Sequence, residues 1–251
     1  MKHQSDSLSK TLLTFTLLCG AMTAMLALTS AIISHTALPT DAGVGLDAGE
    51  HLDSVTVVID AGHGGEDGGT HSADGMYEKE VNLEIAHMLD TMLRANGIRT
   101  VMTRTEDVLL YDRNADYHGR KKMLDLATRR RITEEIENPV FVSIHMNSFP
   151  EERYMGLQVF YSPNDTRSQA LAEWIQNSAQ MLLQPQNDRK IKKATSAIYL
   201  LDRLQCPAVL VECGFLSNPQ EADLLSREDY RQKMAFVLFC SVMSYISSQN
   251  A

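Results

Sequence analysis

The chain has 251 residues, 44% of them hydrophobic and 22% charged, the make-up of one globular domain carrying an appendage. Its four cysteines are too few for a disulfide scaffold, and Cys206, Cys213 and Cys240 match no cysteine-based zinc spacing, so they read as buried free thiols. The formal net charge is −9, and the first 37 residues hold only Lys2, Asp6 and Lys10 as charges, so the acidity belongs to the body and argues against nonspecific nucleic-acid binding.

Residues 11–34 carry no charge and outlast the roughly 20 residues that a membrane-spanning helix needs. Lys2 and Lys10 precede this stretch while Asp41, Asp47 and Glu50 follow it, which places the body outside the cytoplasm. Residues 1–34 therefore read as an N-terminal membrane anchor, with a cleaved signal segment as the rival. Residues 35–52 contain Pro39, glycines and aspartates without periodicity and read as a linker. The folded domain is expected over 53–251.

The β-branched run at 55–59 predicts a buried strand, and it empties into a loop holding five glycines (Gly62, Gly64, Gly65, Gly68, Gly69) around His63. After Glu78 the spacing of Val81, Ile85, Met88, Leu89 and Met92 predicts a helix that Gly97 is placed to end, with His87 on the solvated side. A strand follows at 98–103. The charged segment 104–137 contains a polar helix over 121–137 carrying Leu124, Leu126 and Ile132, and its run Arg129-Arg130-Arg131 reads as a solvated face. Further strands are expected at 140–145 and 156–161, then a helix capped by Asp165 whose core face is Leu171, Trp174, Ile175 and Leu182. Pro207 leads into a strand at 208–211 that ends at Glu212, Asn218-Pro219 opens a short helix, and the last helix turns Tyr230, Met234, Val237, Leu238 and Val242 inward. Strands alternating with helices predict a single α/β domain with a twisted, largely parallel sheet flanked by helices on both faces.

Three of these strands share one grammar, a buried run emptying into a polar side chain: His63, His145 and Glu212. In an open α/β sheet the carboxyl ends of the strands converge on one crevice, so residues distant in sequence become neighbours there. A catalytic zinc site takes three N/O ligands and keeps a position open for water, and two histidines with a glutamate are a recurrent set. His63 and His145 supply two ligands; spacing leaves the third open among Glu78, Glu80, Glu66 and Asp67. His71 and His118 sit in polar loops and read as surface residues, while His3, His35 and His51 precede the domain.

Four segments in order, DAGHGG at 60–65, EKEVNL at 78–83, SIHMN at 143–147 and VECGFLSN at 211–218, resemble the signature motifs of zinc-dependent N-acetylmuramoyl-L-alanine amidases. The resemblance covers nearly everything after residue 54. It implies a twisted sheet flanked by helices, one Zn2+ per chain bound by His63, Glu78 and His145, and Glu212 as the catalytic acid/base. Shorter matches, TR at 103–104, LYD at 110–112, KK at 121–122, DL at 125–126, NSF at 147–149 and QVFY at 158–161, are similar to the germination-specific branch of endospore formers. That branch removes peptides from muramic acid so that the δ-lactam of spore cortex can form. The expected location is thus the outer face of the cytoplasmic membrane or the cell wall space of the developing spore. Two departures stand out: Ala61 replaces a common proline, and Met146 replaces a common alanine and is expected to reshape the groove.

On this reading Glu212 takes a proton from water and passes it to the departing L-alanine amine, and Asn147 orients substrate. The expected partners are peptidoglycan strands with their stem peptides and an activator protein. The competing readings are a zinc peptidase acting on stem peptides and a non-catalytic wall-binding module.

Overall fold

The computed structural model describes residues 55–112, 114 and 119–249; the expected anchor and linker, with His3, His35, His51 and His118, lie outside the described residues. Among the described residues no helix is long and apolar enough to cross a membrane. The elements follow the expected alternation: β1 (Thr56–Ala61), α1 (Glu78–Ala95), β2 (Arg99–Met102), α2 (Lys121–Glu134), β3 (Pro139–Asn147), β4 (Gln158–Tyr161), α3 (Arg167–Leu182), β5 (Lys192–Lys193), α4 (Tyr199–Arg203), β6 (Ala208–Phe215), α5 (Pro219–Ser226) and α6 (Glu228–Ser248). The strands form one sheet in the order β2-β1-β3-β6-β4-β5. All neighbours run parallel except β4, which lies antiparallel to β6.

Alternation along the strands sorts side chains between two faces. Val57, Ile59, Val142, Ile144, Val209 and Val211 point to one face, where α1, α3 and α6 cover them. Val58, Phe141, Ala208 and Leu210 point to the other, against Leu200, Leu201 and Leu204 and, from α2, Leu126. The second cluster is the smaller one. The strand positions beyond it on the same face (Asp60, Ser143, His145, Glu212) line an open cavity instead of a second helical layer.

Helix α1 forms as its stripe predicts: Val81, Ile85 and Leu89 are buried, joined by Leu93. Gly97, at φ 80°, closes it, its N–H and that of Ile98 donating to Arg94 and Leu93 carbonyls. Asn218 caps α5, accepting from Glu221 N–H at 3.0 Å, and α6 buries all five expected residues.

Three expectations need correction. Strand β6 does not stop at Glu212 but runs on to Phe215, so Glu212 sits within the sheet. In α3, Trp174 and Leu182 are 41% and 53% exposed. Gln176 takes an inward place because its amide donates to Leu157 O (3.0 Å) and accepts from Val159 N–H (3.1 Å), satisfying backbone that the sheet leaves unpaired. In α2 the inward stripe is polar, Asp125, Arg129 and Thr133 at i, i+4, i+8. Arg130 and Arg131 do face water, pairing with Glu134 and Glu135, but Arg129 is 1% exposed and belongs to the interior.

Candidate metal centre and active site

His63 leaves the end of β1 and His145 stands on β3, on the face that carries the cavity. Gly62 lies between them in space. A Cβ at that position would fall on the His145 ring, so only glycine lets the two histidines approach. Their ring centroids are 5.0 Å apart and nearly perpendicular. Glu78, the first residue of α1 and 3% exposed, closes the group. Its Oε1 lies 3.3 Å from His63 Nε2 and 2.9 Å from His145 Nδ1, and the three donor atoms all fall within 4.8 Å of one another.

Glu78 is fixed by backbone as well. Met146 N–H donates to Oε1 at 3.0 Å and Thr70 N–H to Oε2 at 2.9 Å. Gly69, at φ 69°, leaves room for that carboxylate. The other carboxylates of the region are engaged elsewhere or stand apart: Glu66 accepts from Lys121 and Tyr111, Asp67 pairs with Lys122 at 3.2 Å, and Glu80 is exposed. Asp67 Oδ1 does approach His63 Nδ1, at 2.9 Å, but out of line for a hydrogen bond, leaving that buried nitrogen without one. Burial alone would lower the His63 pKa; the Asp67 and Glu78 carboxylates outweigh it and raise it to about 9. Burial likewise works to raise Glu78, and the two histidines reverse the sign, holding it far below the usual carboxylate range.

Glu212 is paired in register with His145 across β3 and β6 and with Gln158 across β4 and β6. Its side chain borders the cavity, so the residue is half-buried, yet Oε2 is sealed from solvent and has no hydrogen-bond partner among the described residues. Desolvation is the main reason its pKa rises to about 7; Glu78 adds to the rise, and His145 and His63 oppose it. The cavity itself, about 270 Å³, is bounded by His63, His145 and Glu212 at one side, by Asp67 and Lys122 at its rim, and by Tyr199 and the aliphatic side chains around it in the segment 197–201.

Asn147 follows His145 on the same strand, half-buried, with its Oδ1 accepting from Ser148 N–H at 2.8 Å. Met146 is on the opposite face, 3% exposed in the main core, so the expectation that it shapes the groove is wrong: period-two alternation turns it away, and only its backbone N–H serves the site. His71 and His87 are exposed, as expected. Sequence reasoning missed the charged cluster beneath the loop, Asp60, Arg104, Asp125 and Arg129, each no more than 3% exposed. Its one visible signal was Asp60, a carboxylate inside an apolar strand run.

Residues 57–239 match the family described as N-acetylmuramoyl-L-alanine amidase. The chain belongs to that family. Among curated relatives, the germination-specific N-acetylmuramoyl-L-alanine amidase of Bacillus subtilis is 32% identical over 198 residues, covering 79% of this chain and 82% of that protein. The amidase AmiA of Escherichia coli is 31% identical over 233 residues, with 75% of each chain covered. Among solved structures, the CwlD amidase from Clostridioides difficile in complex with the GerS lipoprotein superposes with a TM-score of 0.72 at 36% identity, covering 77% of this chain and 98% of that one. AmiC2 of Nostoc punctiforme superposes at 0.65 and 29% identity, with 77% and 98% covered. As an N-acetylmuramoyl-L-alanine amidase, the protein is a hydrolase of peptidoglycan, acting on the cell wall at the amide that joins muramic acid to the stem peptide.

Proposed function

We propose that this amidase is zinc-dependent, with one ion held by His63, Glu78 and His145. The observation that carries the reading is the convergence of two imidazole nitrogens and one carboxylate oxygen within 4.8 Å, beside the Glu212 Oε2 on the next strand, which has no hydrogen-bond partner among the described residues. That N/N/O donor set suits zinc, and three protein ligands are the complement of a catalytic rather than a structural site. Bound there, zinc would supply Lewis acidity towards the lactyl amide carbonyl and lower the pKa of water.

The remaining steps belong to the chain's own side chains. Glu212, with its pKa near 7, takes the proton of the attacking water at an oxygen that has no competing partner, and then delivers it to the nitrogen of the departing L-alanine. The desolvated surroundings that raise the pKa also keep the proton from leaking to solvent. Asn147, two residues beyond His145 on the same strand, orients the substrate.

The likeness to the germination-specific relative supports a role in spore cortex, where removal of stem peptides precedes δ-lactam formation. The complex of the C. difficile relative with a lipoprotein supports an activating partner for this chain. Residues 1–34 hold the protein at the outer face of the membrane, residues 35–52 are the tether and residues 53–251 the catalytic unit. The test is zinc content and product analysis on the purified protein with peptidoglycan, beside Glu212→Gln. Zinc near one per chain, released stems with a free L-alanine amino terminus and an inactive variant are expected; a metal-free protein that still releases those stems would sink the zinc reading.

A further inference from the structure

His63 occupies a conformation that few non-glycine residues adopt, at φ 62°. Something must hold it there, and the hydrogen bonds show what. Three successive carbonyls precede and include it, and every one is gripped by a guanidinium. Ala61 O accepts from Arg104 Nε at 2.9 Å and from Arg129 Nη1 at 2.7 Å. Gly62 O accepts from Arg104 Nη2 at 3.0 Å and from Asn82 Nδ2 at 3.1 Å. His63 O accepts from Arg129 Nη2 at 2.6 Å. The same Arg104 Nη2 also donates to Lys79 O at 2.7 Å, one residue beyond Glu78. One side chain therefore joins the strand end that carries His63 to the helix start that carries Glu78.

Positive charge is not what a cation site needs from its surroundings, and here it is cancelled. Arg129 donates from Nη1 to Asp60 Oδ1 at 2.7 Å and from Nε to Asp125 Oδ2 at 2.8 Å. Burial works to raise the Asp60 pKa, but the Arg129 charge and the Ser143 and Thr103 hydroxyls outweigh it and hold the carboxyl below its ordinary value. Two arginines and two aspartates leave the cluster close to neutral. What remains is geometry: a planar fork with several donors at fixed angles, which an ammonium on a flexible stem does not reproduce. Groups behind the ligands of a metal commonly govern its affinity in this way.

We infer that Arg104 and Arg129 are positioning residues, which fix His63 and Glu78 at metal-binding separation through the shape of the guanidinium rather than its charge. The inference rests on the zinc reading above and is tested by zinc affinity instead of turnover. Zinc dissociation constants are measured by chelator competition on the full chain and on Arg104→Lys, Arg129→Lys and Arg130→Lys, with far-UV circular dichroism and the metal-free unfolding midpoint recorded for each. Both buried replacements keep the charge and lose the fork; the expected outcome is affinity weakened roughly 10–100-fold, with the half-exposed Arg130→Lys unchanged. If Arg129→Lys does not fold, Arg104→Lys decides alone. Folded lysine variants that bind zinc within about twofold of the parent overturn the inference while leaving the zinc reading intact, and a lower metal-free midpoint with unchanged zinc affinity overturns it too. A parent chain that takes up no zinc overturns both.

Discussion

Glu212 carries a conflict between stability and function. A desolvated carboxyl favours its neutral form, so the folded pKa of Glu212 lies near 7 against an ordinary value of 4.5. The sign follows: the fold is not penalised below about pH 4.5, where the group is neutral in both states, and loses stability as pH rises towards 7 and the buried form must ionise. Glu212→Gln should therefore stabilise chelator-treated protein at pH 8 by about 1–3 kcal/mol and change little at pH 4, read by urea unfolding. The same variant should lose roughly 10²–10⁴ in rate. A variant inactive but no more stable at pH 8 would show that the carboxyl is solvated. His63 gives the opposite case. Its folded pKa is raised to about 9 by Asp67 and Glu78, so a proton must leave before a metal enters. Zinc affinity should climb about tenfold per pH unit between roughly 6.5 and 9; a flat profile in chelator competition over that range would falsify this.

At the level of elements, β1 and the loop after it illustrate how a missing side chain can carry as much meaning as a present one. Gly62→Ala should fold, since the atoms nearest the new methyl all belong to the His145 ring, but the ring must move and the donor trio opens. Misplacement on the scale of an ångström costs roughly 10²-fold in rate, and zinc content should fall with it; a variant retaining both would mean that the ring has other room. The apolar elements were legible in the sequence because burial there follows hydropathy: Val81, Ile85 and Leu89 in α1, and Tyr230, Met234 and Leu238 in α6, all lie where their spacing places them. Helices α2 and α3 were read less well for one shared reason. Gln176, Asp125 and Arg129 are drawn inward by hydrogen bonds to backbone and to one another, and no periodicity of apolar residues records a demand made by a carbonyl several strands away. The candidate site divides the same way. His63, His145 and Glu212 announced themselves as polar ends of apolar runs, whereas the choice of Glu78 over Glu66, Glu80 and Asp67 required the fold, because only the packing of α1 brings its first residue under both histidines.

Seen whole, the domain is asymmetric. One side of the sheet is buried under α1, α3 and α6, and the other is filled only in part, by α2 and α4, which leaves a cavity open beside His63, His145 and Glu212. Because the donors come from residues 63, 78 and 145, no short fragment of the chain holds the complete set. A sheet so arranged still has two borders, and β5 finishes one of them with a mere pair of residues, Lys192 and Lys193, both exposed. Two residues offer too little free backbone for a neighbouring strand to zip onto, and two ammonium groups repel an identical border. A border this short and this charged gives an identical copy little to pair with. Replacing Lys192 by Val and Lys193 by Thr should leave turnover intact while light scattering reports growing assemblies; a double variant that stays monodisperse would assign the protection to the opposite border instead.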